Sequence, residues 1–283
     1  MKNIQLKNGY SIPSIGLGTW KIIDHLEMYE TVRNAYDQGY RLFDIAAAYR
    51  NEIAFGKAVR DLLLPREELF IQDKLWNTFY GYEKTQEACK KTLRKLKLEY
   101  LDAYLVHWPA SPKQYDNWDE VNAETWRGME KLYTEGLVRT IGVCNFTNRH
   151  LEHLLKTAII PPHINQIEFH PGMIQKDVVS YCKKAHIQLE ASSPLGNGQV
   201  LANRLLCDMA DKKNISTAQL CLKWAVIQGI IVLPKTTKTS RLKENMDLSG
   251  FELTEDEMNK INNLPFCGGL NIDPDEVTNF DGL

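Results

Sequence analysis

The chain lacks the features that mark secreted, membrane-spanning and metal-binding proteins. No stretch of about 18 consecutive apolar residues occurs, so we expect no membrane span. Residues 1–5 are not followed by the apolar run of a secretory signal, and the expected location is a reducing cytoplasm. The six cysteines form no CxxC pair and the seven histidines are scattered, which predicts neither a disulfide framework nor a metal site.

A strong charge of one sign is missing as well. The formal net charge of the 283 residues is −2, so nucleic acid is not an expected partner. The most basic segment, residues 90–97, has leucine at helical spacing and is typical of one amphipathic helix with a solvated face. No linker-like or low-complexity segment divides the chain, and we predict one domain over residues 1–283 that works as a monomer.

What is present is an alternation of short apolar segments with longer amphipathic ones. The apolar segments predict eight strands, at residues 14–17, 41–43, 69–72, 103–106, 140–143, 164–167, 187–190 and 230–233. Apolar residues at helical spacing predict helices at residues 27–38, 83–98, 121–135, 176–185 and 217–228. Gly39, Gly136 and Gly229 follow three of these helices, as expected at helix ends.

Eight strand–helix units are what a closed parallel barrel requires. The strands are apolar almost throughout, as strands buried on both faces should be. An open doubly wound sheet gives the same alternation, so periodicity alone leaves both folds open. We predict an α/β fold, the (β/α)8 barrel of TIM type. An N-terminal β-hairpin should precede it, because residues 4–6 and 11–13 flank Asn8 and Gly9, which both tolerate positive φ in a two-residue turn.

Polar residues follow three neighbouring strands where each strand ends. Asp44, Lys74 and His107 end the second, third and fourth strands, and Tyr49 follows Asp44 by five residues. The carboxyl ends of barrel strands share one mouth, where the chemistry of such folds takes place. We therefore expect these four side chains to converge as an acid–base cluster.

The cluster suggests a proton donor to a carbonyl group. A free tyrosine has a pKa near ~10 and is a poor acid at neutral pH. The Lys74 ammonium should lower the pKa of Tyr49, with Asp44 holding the ammonium in place. His107 would orient a carbonyl oxygen while Tyr49 donates its proton.

Each of these residues also has an ordinary structural interpretation. Asp44 alone is typical of a helix N-cap, and Lys74 alone is typical of a solvated surface lysine. His107 alone fits a hydrogen-bonded core histidine, and Tyr49 alone fits packing. Their occurrence together at matching strand ends favours the acid–base interpretation over four coincidences.

The same residues belong to motifs that resemble the aldo-keto reductase family. The motifs are residues 39–46 with Tyr49, Glu52 and Gly56, then residues 74–77, then residues 106–109. The resemblance extends from end to end of the chain. The short tail, with residues 273–276 and then Asn279 and Phe280, is similar to the shorter microbial members, such as diketogluconate and methylglyoxal reductases.

The resemblance implies a barrel enzyme that reduces small aldehydes and ketones to alcohols with NADPH, the hydride coming from the nicotinamide and the proton from Tyr49. It implies a catalytic tetrad of Asp44, Tyr49, Lys74 and His107. It implies cofactor contacts from Thr19, Asn145, Gln166, Ser193, Leu195, Lys235, Thr236, Arg241, Glu244 and Asn245. It also implies an aromatic substrate pocket formed by Trp20, Trp76, His107 and Trp108.

The roles implied within the cofactor site differ from residue to residue. Asn145 and Gln166 correspond to the pair that holds the nicotinamide carboxamide. Lys235, Thr236 and Arg241 would hold the 2′-phosphate, which favours NADPH over NADH, because two cations and a hydroxyl suit a phosphate monoester. Glu244 and Asn245 would meet the adenine, as the same resemblance implies.

Two positions depart from the family pattern near the nicotinamide. Cys144 replaces the serine that usually precedes Asn145, and a thiol is a weaker hydrogen-bond donor than a hydroxyl. Ser192 replaces an aromatic residue that usually stacks on the nicotinamide ring, a loss of about 1 kcal/mol on the scale of aromatic pairs. Ile45 and Phe55 also differ from the usual residues of the first motif, in a way typical of repacking.

One other function remains as an alternative, and the sequence disfavours two more. A related barrel can serve as an NADPH-binding regulatory or partner-binding protein with little turnover. A Rossmann dehydrogenase needs GxGxxG, but after Gly16 and Gly18 the third glycine position holds Lys21. A barrel metal hydrolase needs clustered ligands, and His150 with His153 is more typical of a helix surface.

Overall fold

The computed structural model describes residues 3–277 and begins with the expected hairpin. Strands β1 (Asn3–Gln5) and β2 (Ser11–Pro13) pair antiparallel. The predicted two-residue turn is wrong: Leu6 N donates to Tyr10 O at 2.8 Å, which leaves a three-residue loop. Within that loop Gly9 has a positive φ of 89°, whereas Asn8 does not. The longer loop places the buried Leu6 in the apolar cluster below the barrel, and such loops are a common alternative to two-residue turns.

Residues 1–2 and 278–283 lie outside the described part of the chain. The tail residues Asn279 and Phe280, part of the similarity to the shorter microbial reductases, therefore lie outside it as well.

Eight parallel strands within residues 3–277 form one sheet in chain order. They are β3 (Gly16–Gly18), β4 (Leu42–Asp44), β5 (Phe70–Leu75), β6 (Ala103–Val106), β7 (Ile141–Cys144), β8 (Ile164–Glu168), β9 (Gln188–Ser192) and β10 (Ile231–Val232). The last strand returns to the first: Ile15 forms a parallel bridge with Val232, whose N–H donates to Ser14 O at 3.1 Å. This closure confirms the barrel and excludes the open sheet.

Helices surround the barrel. They are α1 (His25–Asp37), α2 (Glu52–Asp61), α3 (Tyr82–Leu96), α4 (Trp118–Thr134), α5 (Asn148–Leu155), α6 (Lys176–Ala185), α7 (Arg204–Lys212), α8 (Thr217–Ile227), α9 (Thr239–Met246) and α10 (Glu255–Asn262). The alternation predicts one helix per strand, but β9 is followed by both α7 and α8. The amphipathic α7 packs on α8 and buries Leu206, Met209 and Ala210.

The barrel interior changes from apolar to polar along β4, β5 and β8. At the amino-terminal ends, Leu42, Phe70 and Ile164 form an apolar floor together with Leu6 and Ile12 of the hairpin. Because side chains alternate across a strand, the residues two positions further on also face the interior. Those residues are polar, namely Asp44, Gln72 and Gln166. The fold therefore supports a buried polar layer on an apolar floor, directly below the carboxyl-terminal mouth.

Candidate active site

The four polar residues expected at the strand ends meet at the carboxyl-terminal mouth of the barrel. Asp44 is the last residue of β4, Lys74 lies near the end of β5, and His107 directly follows β6. Tyr49 ends a short 3-10 turn beyond β4. Asp44, Tyr49 and His107 line a cavity of about 910 Å³, as expected for the functional end of a parallel barrel.

Lys74 is fully buried and lies between a carboxylate and a phenol. Its Nζ donates to Asp44 Oδ1 and Oδ2 at 2.6 Å each, and Nζ lies 3.3 Å from Tyr49 Oη. A solvated Lys74 and a helix-capping Asp44 are therefore excluded. The arrangement places a fixed positive charge within hydrogen-bond reach of the phenolic oxygen, and the pair is buried enough to resist screening by salt.

The loop that carries Tyr49 is tied to the first barrel strand. Arg50 follows with a positive φ of 56°, and the fully buried Asn51 then donates from Nδ2 to Thr19 O at 3.0 Å and Oγ1 at 2.9 Å. Thr19 Oγ1 in turn donates to Asp44 O at 2.8 Å. The hydroxyl of Thr19 thus links the loop that carries Tyr49 to the end of β4. The expected contact of Thr19 with a cofactor stays a prediction.

The charges of this cluster differ in one respect from the expectation. Burial alone would lower the pKa of Lys74, but the adjacent Asp44 carboxylate raises it overall, so the ammonium is retained. Burial raises the pKa of Tyr49 above its ordinary value, and the opposing attraction of Lys74 does not cancel it. The predicted net lowering is therefore wrong for this state, because loss of hydration outweighs the ammonium. Tyr49 is a fully protonated phenol at neutral pH.

His107 is a neutral imidazole beside Tyr49. Burial, and then repulsion by Lys74, hold its pKa well below the ordinary value. Its ring meets Tyr49 edge-on at 5.8 Å between centroids and Trp76 at 5.3 Å. A neutral ring between two aromatic neighbours presents one N–H donor in a fixed direction, which suits the orientation of a carbonyl oxygen.

Asn145 directly follows β7, and Gln166 lies in the middle of the neighbouring β8. Both residues line the same cavity. Asn145 has a positive φ of 62°, and its Nδ2 donates to His107 O at 3.0 Å and to Cys144 Sγ at 3.3 Å. Cys144 Sγ lies 3.7 Å from Gln166 Oε1, and burial raises the pKa of this thiol. The thiol therefore joins the two amides as a protonated, weak donor.

A turn after β9 forms one long wall of the cavity. Ser192, Ser193 and Leu195 all line it, and Ser193 has a positive φ of 45°. Gly196 N donates to Ser193 O at 2.8 Å, which closes the turn. The small side chain of Ser192, at the end of β9, leaves the middle of the cavity without an aromatic wall on this side.

The far end of the cavity is formed after β10 and by α9. Lys235 and Arg241 are exposed cations that line it and form no ion pair within residues 3–277. Thr236 and Asn245 are buried, and Asn245 Oδ1 has no hydrogen-bond partner in that part of the chain. Glu244 also lines this end, where its carboxylate accepts a hydrogen bond from Ser216 Oγ at 2.6 Å.

Aromatic side chains border the other end of the cavity. Trp20, Trp76 and Trp108 line it, and Lys21 Nζ lies 4.2 Å above the Trp20 ring. Trp20 and Trp76 are half-buried and Trp108 is buried, but none of the three belongs to the apolar core cluster that contains Trp126 and Trp224.

The tail of the chain crosses this aromatic end. Leu270, Ile272 and Pro274 line the cavity there. The Glu168 carboxylate accepts from Leu270 N at 2.7 Å and from Asn271 N at 2.8 Å, and thereby fastens the tail to the end of β8.

Sequence reasoning missed several residues that line the cavity. Ser216 caps α8 in a capping box with Gln219, a pattern that the sequence does show, but its contact with Glu244 joins segments 28 residues apart. Glu168 and the tail are about a hundred residues apart, and no local pattern links them. Lys21 appeared in the sequence as the residue that breaks GxGxxG, although it also lines the cavity.

Residues 3–277 contain neither a metal-binding cluster nor a membrane-spanning helix. Within residues 3–277, no group of three or more His, Cys, Asp or Glu side chains is arranged to hold a metal ion. No helix in this part of the chain combines the length and the apolar character needed to cross a membrane.

A closed parallel barrel with a buried acid–base cluster and a long cavity at its carboxyl-terminal mouth is characteristic of barrel enzymes. Sequence comparison defines the family: the aldo/keto reductase family model matches residues 14–265. The chain belongs to the aldo/keto reductase family, an oxidoreductase family, and the resemblance described from its motifs is confirmed.

Individual relatives agree with this assignment. The glyoxal reductase of Bacillus subtilis is 45% identical over 274 residues, which cover 97% of this chain and 96% of the relative. The methylglyoxal reductase DkgA of Escherichia coli O157:H7 is 40% identical over 275 residues, 96% of this chain and 97% of the relative. The solved aldo-keto reductase of Bombyx mori in complex with NADP superposes with a TM-score of 0.83 at 34% identity over 92% of each chain.

Proposed function

We propose that the protein reduces small aldehydes and ketones to alcohols with NADPH, and that Tyr49 is the proton donor. The observation that carries the proposal is the buried Lys74 ammonium, held by Asp44 at 2.6 Å and 3.3 Å from the Tyr49 oxygen, at the wall of the large cavity. A phenol next to a fixed cation is arranged to lose its proton when negative charge develops beside it.

The cavity fits a nicotinamide dinucleotide phosphate in shape and in chemistry. Lys235 and Arg241 are exposed cations at its outer end, suited to a phosphate monoester. Buried Asn245 Oδ1 has no hydrogen-bond partner among residues 3–277, as expected of an acceptor for an adenine amino group before the cofactor binds. At the inner end Asn145 and Gln166 would hold the carboxamide. When bound, NADPH supplies a hydride to the carbonyl carbon of the substrate.

The residues of this chain then manage the proton and the orientation. His107, neutral and fixed between Tyr49 and Trp76, donates a hydrogen bond to the substrate carbonyl oxygen. Tyr49 donates its proton to the same oxygen as negative charge builds on it. The adjacent Lys74 stabilises the phenolate that remains, and Asp44 keeps the ammonium in position.

The substrate class follows from the aromatic end of the cavity. Trp20, Trp76 and Trp108 line this end, and an aromatic wall suits small carbonyl compounds. The relatives named for glyoxal and methylglyoxal reduction favour small dicarbonyls. We propose these as preferred substrates, reduced by a monomeric enzyme in the cytoplasm.

The test compares Tyr49→Phe with the wild type in NADPH consumption on a panel of carbonyls that includes methylglyoxal and nitrobenzaldehyde. The substitution removes one hydroxyl, so turnover should fall by about a thousandfold while NADPH binding is retained. Tyr10→Phe, on the exposed hairpin, is the matched control and should behave like the wild type.

Two results would count against the proposal. Undiminished turnover in Tyr49→Phe would remove the assignment of the proton donor. Tight NADPH binding by the wild type, with no turnover on any carbonyl of the panel, would favour a nucleotide-binding regulatory protein instead.

A further inference from the structure

A second carboxyl group lies below the active site, and the proposed reaction does not use it. Glu190 is in the middle of β9, faces the barrel interior and is fully buried. Its Oε2 accepts from Gln72 Nε2 at 2.7 Å and from Gln166 Nε2 at 2.9 Å. A buried carboxyl is costly to keep, so its contacts require an explanation.

The same two amide groups also contact Asp44. Gln72 Nε2 lies 2.9 Å from Asp44 Oδ1, and Gln166 Nε2 lies 3.2 Å from it. An amide nitrogen carries two hydrogens, so each glutamine donates one to Asp44 and one to Glu190. Two glutamines thus bridge two carboxyl groups in one closed network.

This network fixes the orientation of the Gln166 amide. With both hydrogens of Nε2 directed at the carboxyl groups, Oε1 must point the other way, toward Cys144 Sγ and the cavity. A rotation of the amide by 180° would face an oxygen toward two carboxyl oxygens, which is unfavourable. Without Glu190 the Gln166 amide loses one of its two donated hydrogen bonds, and its preference for this orientation weakens.

We propose that Glu190 is a positioning residue of the cofactor site: through the Gln166 amide it directs Gln166 Oε1 into the cavity as an acceptor for the carboxamide N–H of the nicotinamide. The inference rests on the proposed function, since it takes Gln166 as the carboxamide partner. Gln72 carries a parallel bridge that ends on Asp44 and does not involve Gln166.

The test uses a cofactor analogue that lacks the relevant hydrogen. 3-Acetylpyridine adenine dinucleotide phosphate keeps the carbonyl oxygen of NADP⁺ but has a methyl group in place of the amide nitrogen. The wild type should bind it about tenfold more weakly than NADP⁺, the scale of one hydrogen bond left unmade. Dissociation constants are measured by quenching of tryptophan fluorescence, which requires no turnover.

Three variants separate positioning from a general structural effect. Glu190→Met keeps the length of the side chain but removes the acceptor, and the discrimination should fall to less than about twofold. Glu190→Gln supplies an amide oxygen as acceptor and should restore it. Gln72→Met perturbs the same layer without releasing Gln166, and should retain the full discrimination. Should Glu190→Met fail to fold, Glu190→Asp retracts the carboxylate by one methylene and should show the same loss.

The possible outcomes are distinguishable. Discrimination that persists in Glu190→Met or Glu190→Asp would overturn the inference, as would an equal loss in Glu190→Gln, or a wild type that binds both cofactors equally. A wild type that does not bind NADP⁺ at all would refute the proposed function itself.

Discussion

The two ends of the long cavity differ in the burial and the pairing of their charged groups. At the inner end, defined here by Asp44, Tyr49, Lys74 and His107, each charge is buried and paired, and the positions are fixed by hydrogen bonds of 2.6–3.3 Å. At the outer end, defined by Lys235, Arg241, Glu244 and Asn245, the cations are exposed and form no ion pair within residues 3–277.

The difference indicates that the two ends have different functions. A preorganised buried charge acts on the transition state, because it costs no rearrangement when negative charge develops. Exposed cations that are free to bind a ligand act on binding. Their partner arrives from solution, and the attraction between the two is screened by salt. Substitutions at the inner end should therefore change kcat, and substitutions at the outer end should change the affinity for the cofactor.

The largest effect is expected at the inner end, for Lys74→Met. The substitution removes the charge beside Tyr49 and leaves the buried Asp44 without its partner, so kcat should fall by at least about a thousandfold. The midpoint of thermal unfolding should fall as well, because breaking a buried ion pair costs about 3–5 kcal/mol. The dissociation constant for NADPH should change little. Lys91→Met, on the exposed face of α3, is the control for both measurements.

A second effect, from the network beneath the inner end, appears in the pH dependence of stability. Burial raises the pKa of Glu190 from the ordinary 4.5 to about 7. Its pKa is higher in the folded chain than in the unfolded chain, so its stabilising contribution is complete below pH 4.5 and is lost as the pH rises through 7. The change over this interval is about 3 kcal/mol.

Glu190→Gln cannot ionise and should escape this loss. Its unfolding midpoint, measured by circular dichroism, should rise relative to the wild type between pH 5 and pH 7.5, by the amount expected from about 3 kcal/mol, and then level off. A constant difference between variant and wild type across this range would show that folding does not raise the pKa of Glu190.

The outer end should respond differently. Arg241→Ala removes an exposed guanidinium suited to bidentate phosphate binding, so the dissociation constant for NADPH should rise about thirtyfold while kcat at saturation is unchanged. NADH, which lacks the 2′-phosphate, should be unaffected, and the salt dependence of NADPH binding should weaken. Arg204→Ala is the control, because that side chain is 95% exposed. A matching loss for NADH would place Arg241 away from the 2′-phosphate.

The inner end was more readable from the sequence than the network beneath it. Asp44 and His107 directly follow predicted strands and Lys74 lies two residues beyond one, so strand ends and barrel geometry predict their convergence. Gln72 and Glu190 are the last residues of the strands predicted at 69–72 and 187–190, and nothing local shows that they face the same interior layer. That fact depends on the register of β4, β5, β8 and β9 around the closed barrel, which pairs Asp44 with Gln72 and Gln166 with Glu190.

The direction of the Tyr49 pKa shift could not be predicted from the sequence either. Lys74 could be predicted beside Tyr49, and its charge acts to lower the pKa of Tyr49 as expected. The opposing effect of burial depends on how completely the loops cover the phenol. Thr19 illustrates the same limit: its place in the first loop was clear, whereas its hydrogen bond to Asp44 O is set by the tertiary fold.

The smallest effect tests the region between the two ends, where Ser192 leaves one wall of the cavity without an aromatic ring. Ser192 lies two residues beyond Glu190 on β9, so it faces the same interior, one layer nearer to the mouth. Ser192→Tyr should supply a ring that stacks on the nicotinamide, a gain of about 1 kcal/mol or about a fivefold tighter dissociation constant for NADPH.

The control for this substitution is Ser249→Tyr, at an exposed position after α9. If stacking is the cause, the tighter binding should be equal for NADPH and NADH, since both carry the same ring, and kcat should fall where cofactor release limits turnover. A gain confined to NADPH would instead mean that the new side chain acts on the outer end. An unchanged affinity for both cofactors would mean that the turn after β9 keeps the new ring away from the nicotinamide. The two ends of the cavity would then bind the cofactor with no contact from position 192.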